Sequence, residues 1–406
     1  MPTFLDIFPA VGYNGRILLE EFCAMKKWLS ILLALCLMLS LTACGGATQP
    51  EGWYSEEGIN LSKKQVQRIV SADYTTPKNV ILIIGDGMGP NDIALAEEHV
   101  EGVYDYGTVL NLIPNHGLST THSANADVTD SAASATALST GVKTNNGIIG
   151  KDSAGNDLTT MAERARAAGK KVGIITDEDL SGATPTAFTV HNASRENDAE
   201  LINSMVKFKP DVLMCQNYTG VFAPLDSDAR KIFTGEYLVA KKFDKFKEVL
   251  DTDPTCEKPF FGFLNGYATV PTDNLAQCAQ VAFKRLQNDK GFFLMIESAG
   301  TDKYGHANNM SGKLSSVVTL DRTVAAALLF MQDNPDTLLI ITSDHETGGV
   351  RMPAEGESLS TALTVNEHTA TPVRVFAVGK GSAYFKDATV DNTDIAKFII
   401  KAIDGE

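Results

Sequence analysis

The chain has 406 residues and a formal charge of −15 from 50 acidic and 35 basic side chains, which excludes nucleic acid as its main partner, because such partners select basic surfaces. With 44% apolar residues, 33 glycines and 15 prolines, the composition is that of a folded globular protein, neither disordered nor collagenous. Six cysteines in so long a chain exclude a small disulfide scaffold, and no Cys-x-x-Cys pair offers a thiolate zinc site, so any metal must be held by oxygen and imidazole.

The first predicted element is the apolar run 28–41, too short to cross a bilayer core of about 30 Å as a helix. Met25, Lys26 and Lys27 before it and the small residues up to Cys44 after it give the pattern of a signal peptide over 25–43. Leu41-Thr42-Ala43-Cys44 resembles the lipobox of bacterial lipoproteins. That resemblance implies export, loss of 25–43, and a lipid on the Cys44 thiol that tethers the protein to the cell envelope, on the outer face of the cytoplasmic membrane or the periplasmic side. Residues 1–24 precede a complete signal and are read as an upstream extension, with translation expected to start at Met25; the codons of Glu20-Glu21 are purine-rich, as a ribosome-binding site there would be. Residues 44–71 are polar and lack sustained periodicity, which predicts a tether ahead of a single folded domain over 72–406. Beyond Cys44 the cysteines are Cys215, Cys256 and Cys278, an odd number that allows at most one disulfide.

A β-branched, apolar run over 80–84 predicts a strand ending at Asp86. The Ala-rich stretch 129–138 predicts a helix capped by Thr129 or Asp130, with Ser131 in its first turn, where free N–H groups and the dipole attract an anion. No Gly-x-Ser-x-Gly elbow is present, so a reactive Ser131 requires metal activation rather than a triad. A helix over 159–168 stopping at Gly169 and a strand over 171–176 follow, the strand leading to Asp177 and Thr184. Further strands are predicted over 292–296, ending at Glu297, over 338–342, ending at Asp344-His345, and over 373–378, with a helix over 314–331 whose one polar exception is Asp321. Alternating strands and helices predict an α/β fold: a mostly parallel central sheet flanked by helices on both faces, with ligands beyond the carboxyl ends of the strands.

Acids therefore collect along one edge of the sheet, where their mutual repulsion calls for protons or divalent cations. Asp302-x-x-x-His306 sets a carboxylate and an imidazole one helical turn apart, able to face one ion. Asp344 and His345 are adjacent and can share an ion only from an irregular loop, which Glu346-Thr347-Gly348-Gly349 suggests, and His368 lies in another loop. His99, His116, His122 and His191 are read as ordinary surface or satisfied residues.

These residues resemble the alkaline phosphatase family in six ordered motifs spread over 79–379: Gly85-Asp86-Gly87-Met88-Gly89, Thr129-Asp130-Ser131-Ala132-Ala133-Ser134, Ala183-Thr184-Pro185 with His191-x-x-Ser194-Arg195, Glu297-x4-Asp302-x3-His306, Asp344-His345-Glu346-Thr347-Gly348-Gly349, and Glu367-His368-Thr369. The resemblance implies a three-layer α/β/α sandwich and two zinc ions with one magnesium ion. In that pattern Asp302, His306 and His368 hold one zinc. Asp344, His345 and Asp86 hold the second, and Asp86 bridges to a magnesium site completed by Thr184 and Glu297. The resemblance further implies Ser131 as the nucleophile of a phosphoserine pathway, Arg195 as a bidentate phosphate ligand, Lys303 as a second phosphate-binding group, and small-molecule phosphate monoesters as substrates; it allows a homodimer. The nearest rival is a phosphodiesterase or sulfatase of the same superfamily, against which Thr184, Glu297 and Arg195 count; a lipoprotein that binds metal and phosphate without turnover is the rival from another class. Two departures stand out. Gly182 occupies a position where some members carry an acid or histidine, which predicts a thinner magnesium shell, and the stretch 206–288 aligns poorly and is read as helices and loops over the sheet.

Overall fold

Aliphatic runs with no polar alternation have to be covered from two sides, and they form the centre of this molecule. The computed structural model describes residues 52–100 and 104–405; the extension 1–24, the signal segment 25–43 and the Cys44 anchor lie outside the described residues. In chain order the strands are Asn79–Gly85 (β1), His116–Thr120 (β2), Lys171–Thr176 (β3), Val212–Cys215 (β4), Leu238–Ala240 (β5), Phe260–Phe263 (β6), Phe292–Ser298 (β7), Thr337–Thr342 (β8), Glu346–Thr347 (β9), His368–Thr369 (β10), Val373–Val378 (β11) and Thr389–Asp391 (β12). Ten of them form one sheet in the order β12-β2-β11-β8-β1-β7-β3-β4-β6-β5, while β9 and β10 pair separately. Every neighbouring pair in the large sheet is parallel except those of β11, which runs antiparallel to β8 and β2.

β1, β7 and β8 are buried at every position, and successive side chains go to opposite faces. Val80, Leu82 and Ile84 join a core with Ala132, Leu138, Met161, Ala165, Ile395 and Ile399, from helices on one side. On the other side Phe292 meets Phe330 at 5.8 Å between ring centroids, and Phe330 stacks on Phe283 at 4.7 Å, within the helices Asn274–Leu286 and Met310–Asp333. The second of these is apolar and long enough to cross a membrane, but 94% of its most apolar window is buried inside the chain, so it is a core helix. Its polar exception is satisfied: the two oxygens of Asp321 accept from the Val109 and Leu110 N–H groups, each at 3.0 Å.

The strands and helices expected between 80 and 176 and between 292 and 378 are present with boundaries shifted by a few residues. Two expectations need correction. The stretch 206–288 does more than cover the sheet: it supplies β4, β5 and β6, which continue the sheet past β3. Strands of three and four residues are too short to register as a periodic pattern. The expected tether, where described, is packed. Trp53, Leu61, Val66 and Ile69 are buried, and Lys63–Val70 is a helix closed by a Ser62–Gln65 capping box.

The consequence for function lies in the strand order. β8, β1, β7 and β3 are adjacent and parallel, so their carboxyl ends share one edge, where ligands of open α/β sheets bind. Asp344, Asp86, Glu297 and Asp177-Glu178 all sit at that edge.

Candidate metal centre

A turn of positive φ starts the site. Gly87 has φ +70, and a Cβ there would stand 2.6 Å from Thr347 Oγ1 and 2.8 Å from Asp302 Cα, so only glycine lets the β1 loop approach the segments bearing those residues. The fully buried Lys313 ammonium secures this loop, donating to the Gly87 carbonyl at 2.9 Å and pairing with Asp92 at 3.1 Å.

Asp302, His306 and His368 converge. His306 Nε2 and His368 Nε2 lie 3.2 and 3.4 Å from the same oxygen, Asp302 Oδ1, and 3.1 Å from each other. The opposite ring nitrogens are engaged, His306 Nδ1 with the Asn366 carbonyl at 2.7 Å and His368 Nδ1 with the Thr129 carbonyl at 3.0 Å. Donation through Nδ1 leaves both Nε2 lone pairs facing one carboxylate oxygen, the arrangement that outer partners impose on metal-ligating histidines. Hydrogen bonding to Asp302 raises the pKa of His306, and at His368 the same bond outweighs burial. Without a cation, protons would be drawn in, yet two protonated nitrogens 3.1 Å apart would oppose each other. One shared divalent ion resolves the conflict.

Beside them, fully buried His345 turns Nε2 towards Asp344 Oδ2 at 3.3 Å and Asp86 Oδ1 at 3.5 Å. Thr347 Oγ1 donates to Asp302 Oδ1, the oxygen both histidines face, at 2.6 Å and lies 3.2 Å from His345 Nδ1, so it links the two groups of ligands. Burial, with His368 nearby, holds His345 well below the usual imidazole pKa and therefore neutral, as a ligand must be. Burial, and then Asp344 and Asp302, push Asp86 well above the carboxylate range. Among the described residues Asp86 Oδ1 and Asp344 Oδ2 have no hydrogen-bond partner, an arrangement that a cation would relieve.

The third group is Asp86, Glu178 and Glu297, whose ligand oxygens lie within 4.8 Å of one another. Glu297 Oε2 accepts from Thr176 Oγ1 at 2.5 Å, while Oε1 and the buried Thr184 Oγ1 find no partner among the described residues. The second and third groups thus present buried oxygens with unmet partners, the first crowds two imidazole nitrogens onto one carboxylate oxygen, and the residues fit divalent ions.

Ser131 opens the helix Ser131–Thr140 next to this cluster, buried, with its Oγ 3.2 Å from His345 Nε2. Asp130 caps that helix through the Ala133 N–H at 2.9 Å, and its other oxygen accepts from Gly147 N at 2.9 Å and from Arg195 Nη1 at 3.1 Å. Arg195 is thereby held at the same helix N-terminus. Lys303 pairs with Glu178 at 3.1 Å and approaches Asp302 at 3.8 Å; these acids and Asp86 outweigh burial and keep it charged.

Every sequence-predicted site residue that is described is either joined to the cluster through these contacts or, for Thr184, left with an unmet hydroxyl beside Gly182. Asp177 belongs elsewhere: it accepts from Ala299 N at 2.6 Å and shapes the turn after β7. His191 bonds Glu163 and the Gly150 carbonyl, away from the centre. Sequence reasoning missed Glu178, Thr347 and the second role of Asp130. The position of Glu178 two residues past β3 was the available signal.

The family model for alkaline phosphatase matches residues 77–217 and 263–362. The chain is 28% identical over 474 aligned positions to alkaline phosphatase H of Pseudomonas aeruginosa, covering 91% of this chain and 98% of that one. It is 33% identical over 324 positions to alkaline phosphatase 4 of Bacillus subtilis, covering 74% and 68%. Among solved structures, the alkaline phosphatase of the Antarctic bacterium TAB5 superposes with a TM-score of 0.68 at 29% identity, covering 82% of this chain and 99% of that one. A variant of the TAB5 enzyme described as having Mg bound in its M3 site gives 0.68 at 30% identity, with the same coverage.

Proposed function

The chain belongs to the alkaline phosphatase family, and from that membership we propose that it is a metal-dependent phosphomonoesterase that works through a phosphoserine on Ser131, with two zinc ions and one magnesium ion. The observation that carries this reading is the 3.2 Å approach of Ser131 Oγ to His345 Nε2, the nitrogen that also faces Asp86 and Asp344.

Asp302, His306 and His368 would hold one zinc, Asp86, Asp344 and His345 the second, and Asp86, Thr184 and Glu297 the magnesium. When bound, these ions supply Lewis acidity, which lowers the pKa of a hydroxyl or water and neutralises a leaving oxygen. The remaining steps fall to side chains. Arg195, steadied by Asp130, grips two oxygens of the phosphoryl group as a fork, and the first-turn N–H groups of the Ser131–Thr140 helix favour the same dianion. Ser131 Oγ attacks phosphorus in line and loses its proton; the bond to the leaving alcohol breaks and the alcohol takes up a proton. Water then attacks the phosphoserine from the vacated side, the Oγ–P bond breaks, and inorganic phosphate leaves with Ser131 restored. Lys303 lies close enough to the acids at the cluster to add positive potential for the anion. Local cations govern contact with substrate, since charges elsewhere on a molecule of charge −15 are screened beyond about 10 Å.

The assay is turnover of p-nitrophenyl phosphate against its bis-ester by zinc- and magnesium-loaded protein. Faster monoester hydrolysis is expected, and faster diester hydrolysis would transfer the chain to a phosphodiesterase reading. The same proposal puts the enzyme outside the cytoplasm, anchored through Cys44, on the support of the signal pattern over 25–43. Cys44→Ser is expected to abolish fatty-acid labelling, and a variant that is labelled as strongly as wild type would remove the anchor.

A further inference from the structure

Glu178 stands in the cluster although none of the six sequence motifs contains it. It is 8% exposed, and one of its oxygens lies within 4.8 Å of ligand oxygens of Asp86 and Glu297. Three carboxylates packed together out of water are costly unless cations balance them. Lys303, 3.1 Å from Glu178 Oε2, supplies one charge and shares it with Asp302. A shortfall remains, and it has a location: Asp86 Oδ1, Glu297 Oε1 and Thr184 Oγ1 are buried without partners among the described residues.

Gly182 explains how Glu178 gets there. Its backbone, φ −47 and ψ 137, is open to any residue, so glycine is not demanded by conformation. What glycine leaves is space: a Cβ at this position would stand 2.0 Å from Glu178 Oε1 and 2.7 Å from its Cδ, so a side chain here would displace the carboxylate from where it lies. The volume that a side chain at 182 would fill is filled by the Glu178 carboxylate.

We propose that Glu178 is a direct oxygen ligand of the third cation, in the place left open by Gly182, and that its carboxylate joins that cation to Lys303. The inference rests on the reading of Asp86, Thr184 and Glu297 as holders of that cation. It replaces the expectation of a thinner shell with one more carboxylate in a ligand set that is oxygen throughout, and such a set favours magnesium over zinc.

The test titrates magnesium chloride into zinc-loaded, full-length protein by calorimetry, with zinc and magnesium content read by elemental analysis. Wild type is expected to take up one magnesium per chain. Glu178→Gln should bind it about tenfold or more weakly at unchanged zinc content, and the double variant Glu178→Ala/Gly182→Asp, which moves the acid across the gap, should recover most of the affinity. Equal magnesium affinity in wild type and Glu178→Gln overturns the proposal. Should the variants fail to fold, a manganese soak of wild-type crystals decides: the ion is expected in contact with Glu178, and an ion on Asp86 and Glu297 with Glu178 bound to Lys303 alone overturns it. A magnesium difference in protein that does not hydrolyse p-nitrophenyl phosphate would support Glu178 as a ligand while faulting the reaction assigned above.

Discussion

Asp130 and Ser131 are neighbours in sequence and divide the chemistry between them. One Asp130 oxygen caps the helix that carries Ser131, and the other restrains Arg195. Asp130→Ala is expected to cost about 1 kcal/mol of stability through the lost cap and to weaken inhibition by inorganic phosphate, because Arg195 loses its orienting partner; zinc content should not change. Competition assays with phosphate check this, and an unaltered inhibition constant would count against the orienting role. Ser131→Ala removes the attacking oxygen while leaving Asp86, Asp344 and His345 in place. It is expected to abolish the phosphoenzyme trapped from radiolabelled substrate and to retain wild-type zinc. A labelled phosphoenzyme in that variant would mean that another residue is the nucleophile.

At the level of elements, the decisive contacts join loops that are far apart in sequence. The β1 loop reaches Thr347 and Asp302 only because Gly87 lacks a side chain. Gly87→Ala combines a left-handed backbone, costing about 1–2 kcal/mol in a non-glycine residue, with a clash against the residue that binds both histidines. Reduced zinc stoichiometry and a lower melting temperature are expected together; full zinc content would separate the loop from the site. Asp321 tests the opposite case, a buried acid remote from the chemistry. Burial pushes its pKa up to about 7, and both of its oxygens accept backbone N–H groups. Asp321→Asn removes the charge but turns one acceptor into a donor facing an N–H. A loss of about 1–3 kcal/mol in urea unfolding is therefore expected, with metal content intact.

For the whole molecule, metal binding and stability are linked through pH. Burial with Asp344 and Asp302 raises the folded-state pKa of Asp86, and burial with Glu178 does the same for Glu297. The stripped, folded chain keeps protons that the unfolded chain releases above about pH 4, so the folded state binds more protons and stability falls as pH rises. Asp321 and Asp92, raised to about 7 and about 6, give a similar slope below neutrality with or without metal. Cations on the cluster replace the protons there and remove that part of the dependence. The gap in melting temperature between loaded and chelator-stripped protein is thus expected to widen from about pH 5 to about pH 8. A gap that narrows would contradict a metal cluster seated on these carboxylates.

The sequence by itself determined five strands of the central sheet, β1, β3, β7, β8 and β11, the acids at the ends of the first four, and the Asp302–His306 pair, because buried strands are read as unbroken aliphatic runs and a helical turn fixes an i, i+4 pair. It also contained the Ser62–Gln65 cap, although a polar stretch with few apolar residues reads as a tether. The short strands β2, β4, β5, β6 and β12 were beyond it, since three to five residues carry too little period. Only the tertiary structure decided that Thr347 ties the two histidine groups together and that Glu178 occupies the space of Gly182. Those facts depend on distances between atoms brought together by strand order, and a position in the chain says which side chain is absent without saying whose atoms fill its place.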